Sequence, residues 1–187
     1  MQRFEAIIIG GSAGSFQVIA EILNGIPKNF SIPIILCFHR LRTERHGFIE
    51  ALSPRSQLPI IEPLDKMPIV SGYVYLSPAN YHLYIESDKH IALSLEEPEN
   101  HSRPSIDLAF YSSATVYGKS LLGIILSGAN QDGARGAKAI SEYGGYIITQ
   151  DPSEAEVNIM PKAAISYAKV DQILKTAEIV SFLRELS

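Results

Sequence analysis

Short apolar runs alternate along the chain with stretches in which apolar residues recur at helical spacing. The run over residues 5–9 leads through a glycine-rich turn into a predicted helix over 16–23. A second apolar run ends at His39 and precedes a predicted helix over 43–52. Fully apolar runs are typical of strands buried on both faces, and their alternation with helices favours a parallel sheet. The pattern therefore predicts an α/β fold.

The middle of the chain has a different residue pattern. Short aromatic and β-branched segments flank residues 87–89, which predicts a hairpin turn between antiparallel strands. Pro104 precedes a predicted helix over 105–117, and Asp107 in the first turn is expected to favour the dipole of that helix. The alternation of strands and helices then resumes with a strand over 121–128 and continues to the last predicted helix.

The remaining predicted elements are a helix over 134–143, a strand that ends at Asp151, a short helix at Pro161 and a helix over 177–186. We found no internal repeat and no low-complexity segment. The sequence thus predicts a single domain over 1–187, built as a three-layer, doubly wound, mostly parallel sheet with an antiparallel hairpin. Sites in such folds form at the carboxyl edge of the sheet.

Composition and charge restrict the partners and the cellular environment that we expect for this protein. The 187 residues carry a net charge of −4, which argues against nucleic acid as a partner. The apolar run before the first glycines is too short to span a bilayer, so we expect a cytoplasmic protein without membrane insertion. The single cysteine, Cys37, excludes an internal disulfide. The segment 39–46, HRLRTERH, is interpreted as a solvated loop or as a docking strip for an acidic partner.

Three polar residues follow apolar strands and should share the carboxyl edge: Ser12, His39 and Asp132. A serine, a histidine and an aspartate can act as nucleophile, general base and the carboxylate that orients the imidazole. Residues 10–14 match G-x-S-x-G, in which small neighbours place a serine on a tight strand-to-helix turn. Asp151 also ends a strand, and spacing alone cannot separate it from Asp132.

A nucleotide site is the alternative reading of the glycine-rich turn. Dinucleotide binding needs glycines where this chain has Ser12 and Ser15, and an acidic residue where it has His39. We therefore predict no organic cofactor. Structural zinc is not expected either, because no metal-ligand spacing relates Cys37 to the other histidines, which are His46, His82, His90 and His101.

Six blocks follow one another in order over about residues 5–170: IIIGGSAGS, CFH, VYLSPANYHL, SRPSIDLAF, LSGANQDGARG and IMPKAAI. Their order and approximate spacing resemble the catalytic domain of chemotaxis protein-glutamate methylesterases of the CheB type. The resemblance implies hydrolysis of γ-glutamyl methyl esters on chemoreceptors, and in some members glutamine deamidation. It places the family nucleophile at Ser12, the histidine at His39 and the aspartate at Asp132 rather than Asp151.

The resemblance also implies oxyanion donors in the backbone N–H groups of Ala13 and Ala129. Several positions depart from the usual family residues, namely Ala13, Ser15, Phe38 and residues 129–131. Asn130 replaces a glycine, so the turn would be strained if that position needed a positive φ. An idle homologue that only binds a receptor or another partner is therefore kept as the alternative. No phosphorylation control in cis is expected, because the catalytic strand begins within the first residues.

Overall fold

The computed structural model describes residues 3–39 and 47–187. The strands are β1 (Ala6–Gly11), β2 (Ile34–Phe38), β3 (Ile60–Ile61), β4 (Met67–Pro68), β5 (Val74–Leu76), β6 (His82–Ile85), β7 (His90–Ser94), β8 (Leu121–Ile125), β9 (Tyr146–Gln150) and β10 (Gln172–Leu174). The helices are α1 (Phe16–Gly25), α2 (Phe48–Leu52), α3 (Ile106–Tyr117), α4 (Ala134–Glu142), α5 (Ile159–Tyr167) and α6 (Thr176–Arg184).

A 7-stranded parallel sheet has the order β10-β9-β8-β1-β2-β5-β3. β1 lies inside it, with Ile7 aligned to Ile34 of β2 on one side and to Leu122 of β8 on the other. Every residue of β1 is buried, which explains why this strand is an unbroken apolar run. The parallel sheet predicted from the sequence is confirmed.

The sheet separates two apolar cores. Ile7 and Ile9 of β1 face one core, and Ile8 faces the other, because successive side chains of a strand point to opposite faces. The first core includes Ile19 and Leu23 of α1 and Ile179 of α6, and the second includes Phe110 of α3, Ile140 of α4 and Met160 of α5. Helices on both faces complete the predicted three-layer, doubly wound architecture.

The antiparallel hairpin predicted in the middle of the chain is β6–β7. Its turn is closed by Lys89 N, which donates to Glu86 O at 2.8 Å. The hairpin is not part of the main sheet, because it pairs with β4 in a separate 3-stranded sheet. It is attached to α3 through Ile85 N, which donates to Ser112 Oγ at 3.1 Å.

Most predicted boundaries agree with the structure to within two residues, and the largest difference among the described residues is at the end of β8. β8 ends at Ile125, earlier than the predicted end at 128, because Ser127 N donates to the side-chain Oε1 of Gln150 at 2.9 Å. The helix predicted over 43–52 is observed as α2, and residues 43–46 lie outside the described residues. In the part of the chain that is described, no helix has the length and apolar character needed to cross a membrane.

The two helices α3 and α4 approach each other closely near their first turns. A Cβ at Gly136 of α4 would lie 2.5 Å from Phe110 Cβ and 3.1 Å from the backbone of Asp107. Glycine is needed here because any side chain would push the helices apart. The close packing brings the N-terminus of α3 next to the loop that leads into α4, where the predicted aspartate lies.

Candidate active site

Ser12 lies directly after β1, where the chain turns into α1. Its backbone N–H donates to Ser127 O at 2.9 Å, and its carbonyl accepts from Ser15 N at 3.1 Å and from Ser15 Oγ at 2.5 Å. Gly14 has φ +78°, and a Cβ there would lie 2.6 Å from Glu156 Cβ. Glycine is therefore required in this turn. The turn holds a partly exposed Ser12 at the carboxyl edge of the sheet.

Ser127 connects the Ser12 turn to the segments around it. Its Oγ donates to Ala13 O at 2.7 Å and accepts from Val157 N at 2.9 Å. This hydroxyl thus fixes the residue after Ser12 against the loop that precedes α5. The sequence analysis did not single out Ser127, although a buried polar residue directly after an apolar strand was a usable signal.

His39 lies directly after β2, beside the Ser12 turn, and contacts Asp132. The distance from His39 Nε2 to Asp132 Oδ2 is 2.7 Å, and the side chains are 14% and 0% exposed, respectively. The residues are 93 positions apart in the chain. The neighbouring strands β2, β1 and β8 bring His39, Ser12 and the Asp132 loop to one edge of the sheet, as the sequence predicted.

The first turn of α3 holds the Asp132 carboxylate. Oδ2 accepts from Ile106 N at 2.7 Å, and Oδ1 accepts from Asp107 N at 3.0 Å and from Ser105 Oγ at 3.1 Å. Burial raises the pKa of Asp132, but the hydrogen bonds from His39 and from the backbone of Asp107 and Ile106 outweigh it, so the pKa is lowered. Asp132 is thus held as a carboxylate that faces the imidazole.

The Asp107 carboxylate of α3 in turn binds the start of α4. Its Oδ1 accepts from Gly133 N at 2.9 Å and Gly136 N at 2.7 Å, and its Oδ2 accepts from Arg135 Nε at 3.1 Å. Asp107 lies in the first turn of α3, as predicted, and its carboxylate also binds the first turn of α4, which the sequence did not predict. Burial raises the pKa of Asp107, and the backbone hydrogen bond from Gly136 offsets part of this rise.

Asn100 lies between the two carboxylates. Its Nδ2 is 3.2 Å from Asp107 Oδ2 and 3.3 Å from Asp132 Oδ1. We refer to the reciprocal hydrogen bonds of Asp107 and Asp132 as the carboxylate clasp. The start of α3 binds Asp132, which lies in the loop before α4, and the start of α4 binds Asp107, which belongs to α3. The position of Asp132 therefore depends on the packing of α3 on α4.

The Nδ1 atom of His39 faces the side-chain amide of Asn130. Asn130 Nδ2 lies 3.4 Å from His39 Nδ1, and Asn130 Oδ1 accepts from Asp132 N at 3.1 Å. Among the described residues, no hydrogen bond joins Ser12 Oγ to His39. The structure thus brings His39 and Asp132 into direct contact and places Ser12 on the same edge, without a bond between the serine and the imidazole.

The backbone N–H groups of Ala13 and Ala129 make no hydrogen bond to any described residue, and both residues are exposed. They belong to the turns after β1 and β8, which are neighbouring strands. Free N–H groups at such positions can donate to a developing oxyanion. Asn130 does not have a positive φ, so the strain considered for its replacement of glycine does not arise.

Asp151, the other candidate aspartate, has a different role. Its Oδ1 accepts from Ser153 N at 2.8 Å, and Lys175 is a nearby cation. The hydrogen bonds from Ser153 lower the pKa of its carboxyl. Asp151 therefore stabilises the turn that follows β9, while Asp132 contacts His39.

Cys37 and His82 are structural. Cys37 is buried in β2, and burial raises the pKa of its thiol, which makes it a poor nucleophile. His82 Nδ1 accepts from Ser105 N at 3.2 Å, and its Nε2 donates to Glu97 O at 3.0 Å. The described residues contain no group of His, Cys, Asp and Glu that could hold a metal ion. In the predicted docking strip, residues 40–46 lie outside the described residues.

Comparison with known proteins relates this edge to a family. The family model described as CheB methylesterase matches residues 7–183, which is nearly the whole chain. The chain belongs to the CheB methylesterase family. The crystal structure of the Thermotoga maritima CheB methylesterase catalytic domain superposes with a TM-score of 0.93 at 29% identity, covering 98% of this chain and 99% of that one.

Relatives of this CheB-family chain agree with the assignment. A protein of Leptospira interrogans named putative protein-glutamate methylesterase/protein-glutamine glutaminase is 42% identical over 183 residues, which is 97% of this chain and 95% of that protein. The methylesterase/glutaminase of Trichodesmium erythraeum is 32% identical over 92% of this chain, but the match covers 50% of that protein. The chain thus spans nearly all of one relative and half of another. Both names describe hydrolases.

Proposed function

We propose that this chain hydrolyses methyl esters of glutamyl side chains on chemoreceptor-type proteins, with Ser12 as nucleophile, His39 as general base and Asp132 as the carboxylate that orients the imidazole. The observation that carries this proposal is the 2.7 Å contact between His39 Nε2 and Asp132 Oδ2 beside the Ser12 turn. A carboxylate accepts from Nε2, so Nδ1 keeps the lone pair that a base requires.

The proposed reaction has two steps. Ser12 Oγ attacks the ester carbonyl while His39 Nδ1 takes its proton, and methanol leaves with a proton returned by His39. Water then attacks the glutamyl-serine ester, with His39 again as base, and releases the glutamate side chain and free Ser12. The backbone N–H groups of Ala13 and Ala129 would bind the oxyanion, and each such donor lowers a barrier by about 3 kcal/mol.

The same steps would accommodate a glutamine side chain, with ammonia in place of methanol as the leaving group. The names of the relatives include protein-glutamine glutaminase, so we extend the proposal to deamidation. The substrate would be a methylated helix of a chemoreceptor, bound at the carboxyl edge of the sheet. This chemistry requires neither a metal ion nor an organic cofactor.

The test combines a covalent probe with turnover. A fluorophosphonate should label Ser12, and Ser12→Ala should abolish labelling and lower methanol release from methylated chemoreceptor by several orders of magnitude. Ser181→Ala, on the exposed face of α6, is the matched control and should retain both activities. Methanol release that is unchanged by Ser12→Ala would refute the nucleophile assignment.

A second candidate function is supported by the missing bond between Ser12 Oγ and His39. A homologue without a competent serine would bind receptor or partner without turnover. The same experiment decides between the two, because an idle homologue would bind methylated receptor, resist the fluorophosphonate and release no methanol.

A further inference from the structure

The imidazole nitrogen that must act as the base already has a partner. His39 Nε2 lies 2.7 Å from the Asp132 carboxylate, which can only accept, so Nε2 carries the hydrogen and Nδ1 has the lone pair. The group that faces Nδ1 is Asn130 Nδ2, at 3.4 Å. In the described structure, Nδ1 therefore accepts from an amide and not from the Ser12 hydroxyl.

The orientation of the Asn130 amide is determined by its other end. Oδ1 accepts from Asp132 N at 3.1 Å, the short-range bond that asparagine often makes to the backbone two residues ahead. Because the oxygen is engaged there, the NH2 group must point to His39. The hydrogen bond to Nδ1 thus follows from the turn geometry and does not depend on an arbitrary choice between the amide oxygen and nitrogen.

We infer that Asn130 is a positioning residue that occupies the base nitrogen of His39 and competes with Ser12 for it. The inference rests on the proposed roles of Ser12 and His39. A neutral imidazole offers one lone pair, so Nδ1 cannot accept fully from both groups. Ser12 Oγ can donate to His39 only after the amide of Asn130 has moved away.

The surroundings of Asn130 allow this movement and connect it to substrate. The residue is partly exposed, and its backbone does not have a positive φ, so its conformation does not depend on an unusual backbone. Asn130 lines a cavity of about 310 Å³ together with His101 and Tyr167. A peptide substrate that enters this cavity offers carbonyl oxygens to the amide. Binding of a protein substrate would thereby release Nδ1 for Ser12.

The test uses Asn130→Ser. A serine can still accept from Asp132 N through its hydroxyl, but it is too short to reach His39. Labelling of Ser12 by a small fluorophosphonate should become about two- to tenfold faster, because loss of one hydrogen bond removes the competition. Asn130→Ala, which also loses the bond to Asp132 N, should show the same direction. Asn29→Ala, an exposed asparagine before β2, is the matched control and should label at the wild-type rate.

A spectroscopic measurement separates competition from a structural effect. In the Ser12→Ala background, where no hydroxyl can replace the amide, Asn130→Ser should shift the ¹⁵N resonance of His39 Nδ1 toward that of an unbonded nitrogen while Nε2 stays protonated. With methylated receptor as substrate, the gain in kcat/KM should be smaller than the gain in labelling rate, since substrate already displaces the wild-type amide. Equal gains would refute the release by substrate.

Failure of this inference is distinguishable from failure of the proposed function. The competition is refuted and the methylesterase proposal stands if wild-type protein is labelled at Ser12, Asn130→Ser is labelled no faster, and Asn130→Ser does not move the Nδ1 resonance in the Ser12→Ala background. If neither wild-type protein nor Asn130→Ser reacts at Ser12, the proposed function fails.

Discussion

Asp132 and Asp107 are both buried, both lie at helix starts, and both bind backbone N–H groups, yet their pKa values move in opposite directions. Burial raises the pKa of both. Asp132 also faces His39 across 2.7 Å, in a contact from which solvent is nearly excluded. The cation that faces Asp107 is Arg135, whose side chain is 59% exposed and therefore screened. The difference shows that the partner, and not burial alone, decides the direction in which the pKa of a buried carboxyl moves.

The largest expected effect comes from Asp132→Asn. An amide at this position can donate to His39 Nε2 and so favours the wrong tautomer, which should lower kcat by about 10⁴-fold. Steady-state methanol release measures the loss. Asp151→Asn alters the other strand-end aspartate and should retain activity within a few-fold. A comparable loss in both variants would remove the distinction between the two aspartates.

Asp107→Ala should affect stability more than chemistry. It leaves the N–H groups of Gly133 and Gly136 without a side-chain acceptor, which should lower the free energy of unfolding by about 2–3 kcal/mol. Denaturant titration measures the change. Asp88→Ala in the exposed β6–β7 turn is the control, with an expected loss below about 1 kcal/mol. Equal losses would mean that the clasp contributes no more than a surface turn.

The two carboxyls should also respond oppositely to pH. The pKa of Asp132 is lowered on folding, so its stabilising contribution is present above the ordinary Asp pKa and is lost as pH falls through the folded value. The pKa of Asp107 is raised, so its contribution is present below the ordinary value and is lost as pH rises through the folded value. On acidification, the cost of Asp132→Asn should therefore shrink and that of Asp107→Asn should grow.

The test is to measure the free energy of unfolding of wild-type protein and both variants from about pH 7 to about pH 3, and to plot the loss of stability of each variant against pH. If the losses of stability of the two variants changed with pH in the same direction, the contrast between the two carboxyls would be refuted.

The smallest expected effect is that of Arg135→Ala. Its Nε bond to Asp107 and its 2.6 Å contact with Glu99 involve an exposed guanidinium, so the loss of stability should be below about 1 kcal/mol and should decrease at high salt. Thermal melts at low and high ionic strength measure it. A loss as large as that of Asp107→Ala would show that the guanidinium, and not the backbone N–H groups, holds the Asp107 carboxyl.

Local sequence patterns were sufficient to predict the helices, most of the strands and the edge on which Ser12, His39 and Asp132 lie, but the short strands β3, β4 and β10 were not predicted. Each of these residues directly follows an apolar strand or belongs to the loop after one, and parallel strands bring such positions together. Spacing could not choose between Asp132 and Asp151, because both follow strands. The choice came from the family blocks, and the contact of Asp132 with His39 agrees with it.

The clasp could not be predicted in the same way. The sequence predicted that Asp107 lies in the first turn of α3, where it favours the dipole of that helix. Its hydrogen bonds to α4 were not predicted, because they form only where Gly136 allows α3 and α4 to pack closely. The contact of Asn130 with His39 likewise depends on the distance between two strand ends, which no local pattern encodes. Ser105 was missed as a site residue for the same reason, whereas Ser127, a polar residue at the end of an apolar run, could have been singled out from the sequence.

By itself, the sequence determined the α/β architecture, the turn that carries Ser12 and the ends of the strands that carry His39 and precede Asp132, because hydrophobic periodicity and glycine-rich turns act over short distances. Only the tertiary structure decided which helix start binds which carboxylate and which group occupies Nδ1 of His39. Those choices depend on contacts between residues far apart in the chain, and such contacts form only when the helices pack on the sheet.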